Sequence, residues 1–434
     1  MRPRVNRRTF LMGTAGTVAG VALARSASHA ADGDKVRLGI IGCGGRGQGN
    51  WSALTGEDVV MLCDVDLDQV KKAAAQFPKA EVVQDFRKVL DRKDIDAVVV
   101  STPDHWHAIP SVWAMETGKH VYCEKPLART VYEIRAMQEA AKKYNRVTQM
   151  GTQIHAGANY RRVVELVRAG AIGPIRKVDV WCEKRPSPGK RAVQGTPPST
   201  LDYDLWVGPA EWRPYDPKVV PFNWRWWWEF GGGVLGDMAC HFMDLPHWAL
   251  DLRQPERVKA TGTEFPDADT KVPVTMRADF TYPARGSQPP VQLTWWHGTT
   301  GPQDEAGKIE NFGYTSGVLF HGEQGQIAAD YGSHKLLPEE RFSSYQRPPQ
   351  TIPDSVGHHQ EWINGIKHGT PTTCNWDYSG ALAETVQLGN VAYRLGREIE
   401  WDTKKMRIKN AKEREYEALL KPNYRGDWKL KHTG

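Results

Sequence analysis

The stretch "GIIGCGGRGQGN", residues 39–50, decides the fold of this 434-residue chain. Its apolar start reads as a strand, and Gly42, Gly44 and Gly47 follow in G-x-G-x-x-G spacing. In such a turn the first glycine permits a tight bend and the second lets backbone approach a pyrophosphate. The third lets helix pack on strand, and the helix N-terminus faces the phosphates. Gly45 and Arg46 complete the turn and join the candidate cofactor contacts. The next apolar run, "VVMLCDVD", places Asp64 22 residues after Gly42. An acid there hydrogen-bonds the ribose hydroxyls and repels a 2′-phosphate, so the expected dinucleotide is NAD rather than NADP.

Outward from this turn, "DAVVVSTP", "HVYCEKP" and "VTQMG" continue as short apolar strands. Between the strands, "LDQVKKAAAQF", "DFRKVLDRK", "AIPSVWAMETG" and "TVYEIRAMQEAAKKY" have helical spacing. Continuous β-branched runs alternating with helices predict a doubly wound parallel sheet covered on both faces, a Rossmann domain over 35–151. After residue 151 the rhythm changes. A helix, "NYRRVVELVRAG", precedes "IRKVDVWCEK", "RVKATGTEF", "TMRADFTY", "VQLTWWHG" and "GVLFHGEQGQIAAD", separated by turns. These predict an α+β domain over 152–400 with a large, mostly antiparallel open sheet. Pro- and Gly-rich loops at 183–204 and 299–316 are expected to pass over a site or a subunit contact. A helix, "SGALAETVQLGNVAYRLG", precedes a charged tail, 401–434.

The composition, 40% hydrophobic and 25% charged, is that of a globular chain with room for more than one core. The net charge of +6 is concentrated at one end. Five arginines and no acid lie in the first thirty residues, and setting them aside leaves +1. That balance carries no nucleic-acid footprint. In "NRRTFLMGTAGTVAG", residues 6–20, Arg7 and Arg8 precede a mild apolar run too short for the roughly 20 residues of a membrane span. With Ser28-His29-Ala30 as cleavage site, residues 1–30 read as a twin-arginine export signal, which predicts the export machinery as a partner and a periplasmic location. The six cysteines form no CxxC pair or disulfide framework, in keeping with folding before export.

Two further stretches carry chemistry. "YCEKP" sets Glu124 and Lys125 at the carboxyl end of a predicted parallel strand, the edge where ligands bind. "GGGVLGDMACHFMD" sets Asp237 and His241 four apart, on one helix face. A carboxylate beside an imidazole fixes its tautomer, and the imidazole can take a hydroxyl proton while hydride leaves the same carbon. A lysine there stabilises the developing alkoxide. His105 and His107, with His241 and Asp237, lack a zinc-site spacing, so no metal is expected. His358-His359 reads as a helix start. Of the tryptophans in "FNWRWWWEFGGG", one or two are expected to face a sugar, with Trp226 and its neighbour Arg225 as substrate candidates.

Taken with "STPDHWHA" (101–108), "EKPLA" (124–128) and "GAIGPI" (170–175), these motifs resemble the glucose–fructose oxidoreductase/inositol dehydrogenase/rhizopine catabolism (Gfo/Idh/MocA) family over nearly the whole chain. "LDYDLWVGPA", "WRWWWEFGGG" and "CNWDYSGALAETVQLGNVAYRLG" are similar to its exported branch. The resemblance implies that Lys125 contacts the substrate hydroxyl and nicotinamide ribose, and that Asp237 and His241 are the catalytic pair. It also implies that Glu124, Thr102, Pro103 and His107 line the cofactor side, and that the chain forms a homodimer or homotetramer. Where many relatives have an arginine, this chain has "QIHAGANYRR" (153–162), in which His155 and Tyr160 are substrate candidates.

An exported nicotinamide enzyme must keep its cofactor and regenerate it in place. The resemblance then implies an oxidoreductase acting on a sugar, polyol or glycoside hydroxyl with tightly bound NAD. The alternative is a redox-neutral glycosidase that oxidises a sugar, eliminates its glycosidic bond, adds water and returns the hydride. A non-catalytic sugar-binding protein is the third reading, and the presence of Lys125, Asp237 and His241 argues against it.

Overall fold

The computed structural model describes residues 35–430 apart from 192–194 and 305–306. The predicted export signal at 1–30 lies outside the described residues. Strands β1 (Arg37–Ile41), β2 (Asp58–Cys63), β3 (Glu81–Val83), β4 (Ala97–Val100), β5 (His120–Glu124) and β6 (Thr148–Gly151) form one sheet. Its order is β3-β2-β1-β4-β5-β6 and every pairing is parallel. All four β4 residues are fully buried because helices cover both faces. The strand order reverses between β1 and β4, and ligands bind at that crevice in such sheets. Sequence pattern missed only β3, whose three residues include a single buried one, Val83.

The second sheet takes β7 (Ile175–Cys182), β8 (Arg257–Thr263), β9 (Thr275–Tyr282), β10 (Val291–His297), β11 (Gly317–Gly322), β12 (Gly325–Ala329), β13 (His334–Leu337), β14 (Ile399–Asp402) and β15 (Arg407–Ile408). Its order is β13-β12-β11-β7-β10-β9-β8-β14-β15, antiparallel throughout except for the β7–β10 pair. "GVLFHGEQGQIAAD", expected as one strand, folds back as the β11–β12 hairpin. All six cysteines are buried and unpaired.

Later segments return to the first sheet. Helix Trp376–Leu395 lies along helix Val131–Tyr144, fastened by Gln138 to the Trp376 carbonyl (2.9 Å) and by the Arg135–Glu384 pair (2.6 Å). Trp362, Ile363 and Ile366 of helix His358–His368 pack with Leu38, Ile40 and Trp51 on one face of the sheet. The charged tail docks too. Trp428 lies 4.8 Å from Trp106, edge to face, and about 6 Å from Phe86 and Trp113. Arg425 bonds Asp204 and the Gly208 carbonyl (2.8 and 2.9 Å).

Candidate active site

A cleft of about 760 Å³ opens at the carboxyl edge of the parallel sheet, within the roughly 300–1,000 Å³ range of small-molecule sites. Its floor is the glycine turn. Gly42 sits at φ +89°, and a Cβ there would lie 2.7 Å from the Ser101 carbonyl. A Cβ on Gly47 would lie 2.1 Å from the Gly42 oxygen. Asp64 holds the turn by accepting from Cys43 N (2.8 Å) and Asp66 N (3.0 Å). Burial pushes its pKa up to about 6 against the pull of the Asp66, Cys43 and Gly44 amides. The residues fit a dinucleotide: bare backbone where phosphates would pass, and a carboxylate at the end of β2.

Beyond the turn, Glu124 ends β5. Its Oε1 accepts from Asn50 (2.9 Å), Gln153 (2.8 Å) and Arg46 (3.3 Å), whereas Oε2 is buried with no partner among the described residues. His359, at the start of its helix, meets Asn50 from the other side (3.0 Å). Thr102 and Pro103 line the cleft after β4, and His107 Nε2 lies 2.8 Å from the Thr102 carbonyl. Burial lowers the His107 pKa to about 4.

Lys125, one residue past β5, reaches Asp237 on helix Gly233–Phe242. Its Nζ donates to the Asp237 carbonyl (2.5 Å) and Oδ1 (2.9 Å). Two more cations share that carboxylate, Lys184 at 2.5 Å and Arg225 at 3.3 Å. Burial alone would raise the Asp237 pKa, but Lys125, Lys184 and Arg225 outweigh it and hold the carboxyl well below the usual range. Lys125 is raised in turn, because Asp237 overcomes the burial that disfavours its charge. One turn on, His241 also lines the cleft, its pKa lowered to about 3 by burial and then by Lys125. The imidazole is therefore neutral. Among the described residues Asp237 makes no hydrogen bond to it, so the expected tautomer-fixing contact is replaced by the three cations.

Other candidates lie elsewhere. His155 is 1% exposed, its Nδ1 2.9 Å from both Asp244 oxygens and its ring stacked on Trp248. Tyr160 is fully buried and donates to the His241 carbonyl (3.2 Å), so it positions the helix. Trp226 is buried off the cleft with the Lys184 ammonium over its ring, while Trp224 lines the cleft and stacks on Arg225. His155, Tyr160 and Trp226 are thus outside the lining of this cleft, whereas the fourth substrate candidate, Arg225, is part of it. His105 bonds the Trp206 carbonyl (2.9 Å) inside an aromatic cluster, so the four residues weighed as a metal set do not converge. The group His155, Asp244 and Cys374 is close enough for an ion, but Asp244 is already bonded by His155 and by Tyr378 (2.7 Å). Lys184 and Asp104 were not foreseen. Lys184 falls in the 183–204 loop, which does cross the site, while the 299–316 loop meets Trp181 through the Tyr314 carbonyl.

Comparison with known proteins agrees with this arrangement. Residues 36–152 match the family model described as "Oxidoreductase family, NAD-binding Rossmann fold", and 174–287 match "Oxidoreductase family, C-terminal alpha/beta domain". A "Glycosyl hydrolase family 109 protein" of Solibacter usitatus is 35% identical over 194 residues, 40% of this chain and 44% of that protein. The levoglucosan dehydrogenase of Pseudarthrobacter phenanthrenivorans is 30% identical over 196 residues, 44% of this chain and 42% of that protein. The matched stretch thus spans less than half the length of these curated relatives. The WlbA dehydrogenase of Bordetella pertussis, solved with NADH and UDP-GlcNAcA, shares the fold with TM-score 0.60 at 17% identity, over 85% of this chain and 99% of that one. With both family models in sequence order and the glycine turn, Lys125 and His241 around one cleft, the chain belongs to the Gfo/Idh/MocA oxidoreductase family.

Proposed function

We propose that the protein oxidises a hydroxyl of a sugar, polyol or glycoside with tightly bound NAD. The observation that carries this reading is the convergence of Lys125, Asp237 and His241 on the cleft that begins at the glycine turn. When bound, the dinucleotide supplies the acceptor for the carbinol hydrogen. Lys125, kept charged by Asp237, stabilises the alkoxide as the hydroxyl proton leaves. His241 is in its proton-accepting form, but burial makes it a weak base, so the Lys125 ammonium carries much of the stabilisation. Arg225, lying over the Trp224 ring in the cleft lining, is the polar group offered to a sugar.

A second reading, redox-neutral glycoside cleavage, is favoured by an additional carboxyl in the cleft, Asp104, and by the names of the glycosyl hydrolase family 109 relatives. Residues 1–30 support twin-arginine export to the periplasm, with NAD loaded beforehand. The open nine-stranded sheet supports pairing into a homodimer or homotetramer. The protein, purified without added cofactor, is expected to release NAD(H) on denaturation. Incubated with a panel of 4-nitrophenyl glycosides and free sugars, it should yield ketosugar or lactone if it is a net oxidoreductase. Released aglycone with unchanged sugar selects the second reading. A preparation that is cofactor-free and fails to bind NAD at millimolar concentration would refute both.

A further inference from the structure

Asp104 opens the short 3₁₀ turn Asp104–Trp106, four residues past the end of β4, and lines the cleft among Pro103, Lys125 and Arg225. It is 7% exposed, yet among the described residues no group donates a hydrogen bond to its carboxyl. Its oxygens are not among the buried polar atoms left without a partner, so the carboxyl opens onto the cleft that it lines rather than into the core. Its neighbours are charged: Lys125, Arg225 and Arg129 pull its pKa down and Asp237 pushes it up. Desolvation is the largest influence and leaves it near 7. Asp237, by contrast, is fully committed to three cations, and His241 is a weak base. Apart from Asp64, which is tied to the backbone amides of the glycine turn, Asp104 is the group in the cleft that can both take and give a proton at ordinary pH.

We propose that Asp104 is a catalytic residue that removes the proton from the carbon next to a newly formed sugar carbonyl. This rests on the second reading above. The C–H bond breaks toward the Asp104 carboxylate, and its electron pair forms a double bond conjugated with the carbonyl. The bond from the anomeric carbon to the glycosidic oxygen breaks, and that oxygen takes a proton from water and leaves as an alcohol. The hydroxide so formed adds to the anomeric carbon, and Asp104, whose acidic proton exchanges with solvent in the meantime, protonates the neighbouring carbon. A dinucleotide held at the glycine turn would supply both the acceptor for the first hydride and its return to the carbonyl, so no external oxidant is needed.

The test uses the holoenzyme and 4-nitrophenyl glycosides in deuterium oxide. Wild type is expected to show transient absorbance of bound reduced cofactor, aglycone release, and deuterium at the carbon beside the oxidised one. Asp104→Asn should keep the absorbance change and lose deuterium incorporation and aglycone by about 100-fold or more, the usual scale of acid–base catalysis. Exchange within a few-fold of wild type in that variant overturns the assignment alone. Absence of the absorbance change in wild type overturns the oxidation reading, and the assignment with it. If the variant does not fold, the pH profile of exchange by wild type serves: a bend near 7 is expected, and a flat profile from about pH 5 to 9 overturns the proposal.

Discussion

Asp237 is one carboxylate among three cations, and its side chain is only 9% exposed. Such a group is stabilised while its partners remain and costly to remove, because the cations left behind are half-dehydrated. Asp237→Asn is therefore expected to lower the unfolding free energy by about 3–5 kcal/mol. Urea denaturation measures this, and a loss of under about 1 kcal/mol, the range of exposed ion pairs, would sink it. This site was partly legible. Lys125, Asp237 and His241 stand at spacings that a sheet edge and a helix face dictate. Lys184 sits in "CEKRPSPGK", a loop with no period to read, and reaches Asp237 only through the fold. Asp104 was visible as a letter in "STPDHWHA", but its chemistry comes from desolvation and from three cations on two other segments, Lys125 and Arg129 after β5 and Arg225 in the turn Asn223–Trp226. His155 and Trp226, suggested by residue type, do not line the cleft: one stacks on Trp248 beside Asp244 and the other lies under the Lys184 ammonium.

At the scale of elements, the glycine turn is the most constrained piece of backbone in the cleft. A methyl on Gly47 would collide with the Gly42 carbonyl, a backbone atom that can yield only if strand and helix separate. Gly47→Ala is expected to lose about 1–3 kcal/mol of stability, the usual cost of overpacking. Weaker NAD binding should accompany it, because the amides that face the pyrophosphate shift with the helix. Calorimetric NAD titration and thermal unfolding check both, and unchanged affinity would contradict the close approach. The strands and helices flanking this turn were predicted because their apolar runs are long. Short elements escaped: β3 and β13 to β15 have two to four residues each, too few to show alternation. They are held by the pairing of neighbours already in place.

For the whole molecule, the histidines set the response to pH. His105, His107, His241, His247, His297, His334, His358 and His359 all have lowered pKa values, chiefly through burial. Between pH 7 and 5 the unfolded chain gains protons on these groups and the folded chain does not. Asp64, Asp104 and Glu133 act oppositely, since burial raises their folded values and lets the native state hold protons, but they are three against eight. Stability should therefore rise with pH from 5 to 7. Denaturant midpoints across that range test it, and a flat or falling trend would contradict the balance. The Trp428 contact has a consequence for assembly. Trp106 forms part of the cleft wall, and the ring that backs it comes from the same chain roughly 300 residues later. All the strands of the first sheet are made before residue 152, but that wall, like the sheet face under helix His358–His368, gains its backing only when much later segments have been made. The cofactor cleft therefore reaches its full set of contacts late in synthesis.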